Sequence, residues 1–170
     1  MNSSIPVSEA QSLPAWRRPT ALLFVFAAAM PLSFAVWSAL LNNFVVERAA
    51  FTGEEIGLLQ SLREVPGFLA FTAIGILIFI RQQSFAILSL ITLGIGTAIT
   101  AFFPTALWLY FTTVLMSFGF HYLEAMHNAL SLQWLEKDEA PKVLGQLLSV
   151  RAISNLLVLG SIYLLSLIHI

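Results

Sequence analysis

The chain has 170 residues, 58% of them hydrophobic and only 10% charged, with a formal net charge of -1 and a mean hydropathy of +0.86. Soluble domains carry about 25% charged residues, so this composition belongs to a polytopic membrane protein and excludes a large aqueous catalytic domain. There are no long basic or acidic runs, so nucleic acid has no support as a partner. Cysteine is absent, which removes disulfides, thiolate metal sites and cysteine nucleophiles.

In chain order, residues 1–19 are polar and proline-containing and read as a short cytoplasmic tail. It ends at Trp16, Arg17, Arg18 and Pro19, a membrane-surface anchor. Residues 20–41 carry no charge. At about 1.5 Å of rise per residue they cross about 30 Å of hydrocarbon. Small residues around Ala27 and Ala29 imitate a signal-peptide cleavage site, but the apolar run continues past them, which favours a span over a leader. Residues 42–55 form a polar connection whose Thr52-Gly53-Glu54-Glu55 portion suits a turn followed by an acidic first helical turn.

The second span is expected over residues 56–80, with Arg63, Glu64 and Pro66 inside it, and Arg81, Gln82 and Gln83 make a tight connection after it. A third span over residues 84–102 carries Gly94 and Gly96, small residues that let helices approach closely. Phe103, Pro104 and Thr105 turn the chain into a fourth span, residues 106–134, with Trp108 and Trp134 at interfacial positions. Residues 136–142 are the most charged loop, and a fifth span follows over residues 143–168, with Arg151 and Asn155 one turn apart. The fold class is all-α, a transmembrane bundle over residues 20–168. With the N-terminus inside, the inner segments carry Arg17, Arg18, Arg81, Lys137 and Lys142, and the outer connections carry only Arg48. That bias places the N-terminus in the cytoplasm.

The fourth span concentrates the polar chemistry. Ser117, His121, Glu124, Asn128 and Ser131 recur at alternating steps of four and three, which stacks them on one helix face, and Thr113 extends the stripe by a turn. An acid in hydrocarbon costs roughly 2.5 kcal/mol or more, so such residues face a bundle interior, a partner or a water cavity. Counting rise from the nearest interface puts Glu124, Arg63, Glu64 and Arg151 at roughly 12 to 15 Å depth, near the midplane. Two acids and two arginines at one depth can neutralise one another. Read functionally, with Ser117, His121, Asn128 and Asn155, they line a polar path or binding site. Read structurally, they are static ties between helices.

His121, Glu124 and His127 also form HxxExxH. Successive steps of three rotate around a helix, leaving the two histidines about 120° apart, unlike the i, i+4 zincin pattern. No metal site is assigned, and His127 reads as an edge residue hydrogen-bonded to a neighbour. His169 stands at the far end of the chain. There is no P-loop, no GxSxG and no GxGxxG, so neither an enzyme nor a cofactor is assigned.

The layout resembles the amino-terminal half of a major facilitator superfamily transporter. It has an inner N-terminus, a very tight inner turn after the second span, a short outer turn after the third, and a charged inner loop before the fifth. Residues 37–71, WSALLNNFVVERAAFTGEEIGLLQSLREVPGFLAF, are similar to the passage from first to second span in bacterial members, and Gly75 and Arg81 stand where that family's inner loop has glycine and a basic residue. The fifth span lacks the Gly-Pro run of the family's drug antiporters.

The resemblance implies twelve spans in two halves, built of inverted three-helix repeats around a midplane site. It therefore implies a sixth helix and a C-terminal half as partners of this five-span fragment. Residues 165–170, LSLIHI, resemble sequencing-adaptor read-through. The expected activity is secondary transport of a small solute across a bacterial cytoplasmic membrane, with proton coupling through Glu124 tuned by His121 and Arg151. The alternative is a non-transporting scaffold in which the stripe fixes helix packing.

Overall fold

A computed structural model describes Pro14 and residues 18–168. The N-terminal tail with Trp16 and Arg17, and His169 at the other end, lie outside the described residues. The described residues fold into helices joined by short turns, with no strand among them.

Helix α1 is Pro19–Ala49, and it begins on a proline, whose missing N–H is not needed in a first turn. Its C-cap, Ala50, adopts the left-handed conformation at φ 52°, and the Phe51 N–H donates to the Val45 carbonyl at 3.0 Å. This is the reversed turn that usually selects glycine. Helix α2, Gly53–Phe68, opens with a reciprocal cap. The Glu55 N–H donates to the Thr52 hydroxyl at 3.3 Å, and the Thr52 N–H donates to the Glu55 carboxylate at 2.8 Å. The Thr52 N–H and the Thr52 hydroxyl, the latter at 2.9 Å, both donate to the Glu55 carboxylate, which favours its ionised form and holds its pKa below the ordinary range.

The second expected span is not one continuous helix. Helix α2 stops at Phe68, a 3-10 turn covers Leu69–Thr72, and a single helical turn, α3, covers Ala73–Ile76. The cause is the Pro66-Gly67 pair. Pro66 cannot donate to the carbonyl one turn back, its ring crowds that carbonyl, and glycine is a weak helix former. Helices α4 (Gln82–Ile99), α5 (Ala106–Trp134) and α6 (Ala140–Ile168) complete the chain, with a 3-10 turn, Thr100–Phe102, extending α4. Among the described residues, four helices are long and apolar enough to cross a membrane: α1, extended α4, α5 and α6. They correspond to the first, third, fourth and fifth expected spans. The α2–α3 segment is the interrupted one.

Helix α5 is the centre of the bundle and packs against α1, α2 and α4. Against α4 it runs antiparallel and very close. A Cβ on Gly96 would sit 2.6 Å from the Met116 backbone nitrogen, and one on Gly119 would sit 2.3 Å from that of Leu93. Only hydrogen fits at either position. Gly94, the other glycine singled out in the sequence, faces open space, and the missing half of the seam is Gly119. Leu93, Leu109, Met116 and Leu123 are fully buried along this contact. Lipid offers apolar contact of its own, so such seams are held by close van der Waals packing rather than by hydrophobic transfer.

Helix α1 crosses α5 antiparallel, stacking Phe34 on Phe120 with ring centroids 4.6 Å apart. Helix α6 lies along α1 and scarcely approaches the backbone of α5, although the two are adjacent in sequence. Its far side is apolar and exposed at Leu148, Leu156, Leu157 and Leu164.

Candidate functional site

The polar stripe of α5 has two flanks. On one, α2 runs parallel to α5 with its break alongside the stripe. The Ser117 hydroxyl donates to the Arg63 carbonyl in a very short bond. One turn on, the His121 ring lies against Gly67, where a Cβ would be 2.8 Å from the ring Cε1. The Thr72 hydroxyl donates to the Leu69 carbonyl at 2.7 Å, and the Tyr122 hydroxyl stands 2.6 Å from the Thr72 oxygen. A helix broken inside a membrane must have its freed backbone groups satisfied by neighbours. Here the Ser117 hydroxyl of α5 donates to the Arg63 carbonyl before Pro66, and the Tyr122 hydroxyl lies 3.5 Å from the Leu69 carbonyl after it.

On the other flank the geometry is open. Arg151 reaches from α6 to α5, where its Nη2 lies 3.4 Å from Glu124 Oε1. That is a single long contact, and most guanidinium donors and the second carboxylate oxygen have no protein partner among the described residues. The side chains are 28% and 39% exposed, respectively. Asn128, one turn along α5, and Asn155, one turn along α6, are both exposed. Because α5 and α6 run in opposite directions, the two amides flank the ion pair from opposite ends. The face carrying Glu124 and Asn128 is therefore partly open, between α2 on one side and α1, with α6 packed on it, on the other.

The charges near mid-depth form two pairs rather than one quartet. Arg63 donates to the neighbouring Glu64 through both Nη2, at 2.5 Å, and Nε, at 3.0 Å, on a single carboxylate oxygen. Among the described residues, no ion pair links this couple to Glu124 or Arg151.

His127 is not an edge residue. It is 4% exposed, with its Nε2 3.2 Å from the Leu23 carbonyl of α1 and the Phe26 ring edge-on to it. Facing a carbonyl, Nε2 carries the proton, which leaves Nδ1 as a buried acceptor without a partner. His121 turns to α2 and His127 to α1, as the rotation of a three-residue spacing requires. Among the described residues no three metal-ligating side chains converge. Ser131, the last of the stripe, bonds back to the His127 carbonyl within α5 at 2.7 Å. Thr113 is fully buried, and its hydroxyl has no partner.

Sequence reasoning missed Tyr122, Thr72, Gly67 and Gly119. A proline-glycine pair inside an apolar span was the available signal for the first three, because a break there demands side-chain partners. Compared with known proteins, the chain matches no family model, no curated protein and no solved structure.

Proposed function

We propose that the chain is part of a secondary active transporter of the major facilitator type, moving a small solute across a membrane with the N-terminus on the cytoplasmic side. One observation carries this reading. Midway along two apolar helices, Glu124 and Arg151 are partly exposed, and Asn128 and Asn155 beside them are exposed. Charges at that depth are too costly to face lipid tails, so the groove they line holds water, solute or completing helices.

Four long apolar helices supply the membrane-spanning frame. The lysine and arginine bias supplies the orientation. Protonation of Glu124 would remove the charge that holds Arg151, changing the link between α5 and α6 and hence the shape of the groove. In the complete carrier, Glu124→Gln abolishes the pH dependence of uptake or counterflow. A pH profile identical to that of the unmodified protein contradicts the coupling role.

A non-transporting scaffold is the second reading, favoured by the bonds from Ser117 and Tyr122 to the broken α2. Paired truncation of Glu124 and Arg151 separates the two in a detergent melting experiment. A scaffold loses thermal stability, whereas a transporter stays folded and loses flux.

A further inference from the structure

We propose that the Arg151–Glu124 seam, flanked by Asn128 and Asn155, is a docking site for a small zwitterion, with its carboxylate on Arg151 and its ammonium group on Glu124. The proposal rests on the transporter reading, in that it takes the groove to be open to solute.

The two Arg–Glu pairs of the bundle differ in the way a ligand site requires. Arg63 and Glu64 belong to one helix and close on each other through two N–H groups. Arg151 and Glu124 come from different helices, touch through one atom each at 3.4 Å, and keep their remaining donors and lone pairs uncommitted. Helix α6 packs on α1 rather than on α5, so these two side chains span a gap instead of filling a packed interface.

Charge balance then selects the ligand. A lone anion binding Arg151 would turn it from Glu124 and leave that carboxylate without its cation, and a lone cation would leave the guanidinium without its anion. Either leaves one charge of the pair unmatched in an apolar bundle. A zwitterion satisfies both charges at once with no proton exchange. Asn128 lies four residues from Glu124, and Asn155 four from Arg151, which at 1.5 Å of rise is about 6 Å each. The strip between the amides is therefore roughly 12 Å long, enough for a solute of amino-acid size. Each amide can donate to the carboxylate end or accept from the ammonium end.

The test is thermal denaturation of the purified full chain with glycine, alanine or serine, with acetate, and with methylammonium, each at matched ionic strength. The amino acids raise the melting temperature and the two single-charge analogues do not. Glu124→Gln and Arg151→Gln, whose own melting curves report whether they fold, weaken the apparent affinity by roughly tenfold or more. Stabilisation by acetate or methylammonium equal to that by the amino acids overturns the proposal, and so does the absence of any shift with the amino acids. Amino-acid binding without flux in vesicles reconstituted with the complete carrier contradicts the transporter reading and leaves this site standing. Flux of a solute that is not zwitterionic does the reverse.

Discussion

The two sides of α5 obey opposite rules. Toward α4 the helix presents Gly119 and buries Met116 so closely that no side-chain carbon can be added at Gly96 or Gly119. Toward the groove it presents Glu124 and Asn128, partly or fully exposed, with an arginine reaching over from a helix that packs elsewhere. The first side fixes geometry through backbone proximity. The second keeps polar atoms uncommitted at a depth where they are costly, which is a property of sites rather than of seams. The contact with α2 is intermediate, polar but internally satisfied, because there the hydroxyls of α5 serve a broken backbone.

That contrast orders the effects of substitution. Gly119→Val places side-chain carbons on the backbone of α4 and lowers stability by about 3 kcal/mol or more, seen as loss of a cooperative melt in detergent. Ser117→Ala removes the hydroxyl that bonds α5 to the Arg63 carbonyl of α2 and lowers stability by about 1 kcal/mol, measurable as a downward shift of the same melt. Glu124→Gln changes stability by less than about 1 kcal/mol because the pair is partly solvated, while removing the pH dependence of transport. A loss as large as that at Gly119 would place Glu124 among the structural contacts. Ala50→Gly relieves the left-handed strain at the end of α1 and adds about 0.5 kcal/mol, the backbone relief being partly offset by unfolded-state entropy.

The smallest effect lies at the cap of α2, near the first turns of α5 and away from Glu124. Glu55 has a folded-state pKa below its unfolded value, so its contribution is fully present above the unfolded pKa and disappears as pH falls through the folded one. Glu55→Ala therefore lowers the melting temperature at neutral pH and removes part of the protein's acid sensitivity. Equal acid sensitivity in both proteins would contradict the cap's role.

Much of this architecture was legible in the sequence, because uncharged runs and their polar punctuation report membrane spans directly. The stripe on α5 was legible too, since its spacing needs only helical periodicity. The direction each polar residue takes was not. Ser117 and His121 face α2, Glu124 faces α6, and Ser131 serves its own helix, and those choices depend on which neighbours pack where. The interruption after Pro66 was written in the Pro66-Gly67 pair, yet hydropathy runs straight through it. Apolarity measures transfer to lipid and is blind to backbone hydrogen bonding. His127 was misplaced for a related reason: its partner, the Leu23 carbonyl, is a backbone atom on a distant helix and leaves no trace in side-chain patterning. Gly119 became informative only beside Leu93.

The absence of cysteine gives the groove its most direct test. Single cysteines introduced at Asn128, Asn155 and Leu156 can each be challenged in membranes with a charged, membrane-impermeant thiol reagent, which needs water and a thiolate to react. Leu156 follows Asn155 in the chain, is 71% exposed and lies on the apolar side of α6. Modification is expected at 128 and 155 and none at 156. Equal reactivity at all three positions, or protection of 128 and 155, would contradict a polar groove between α2 and α6.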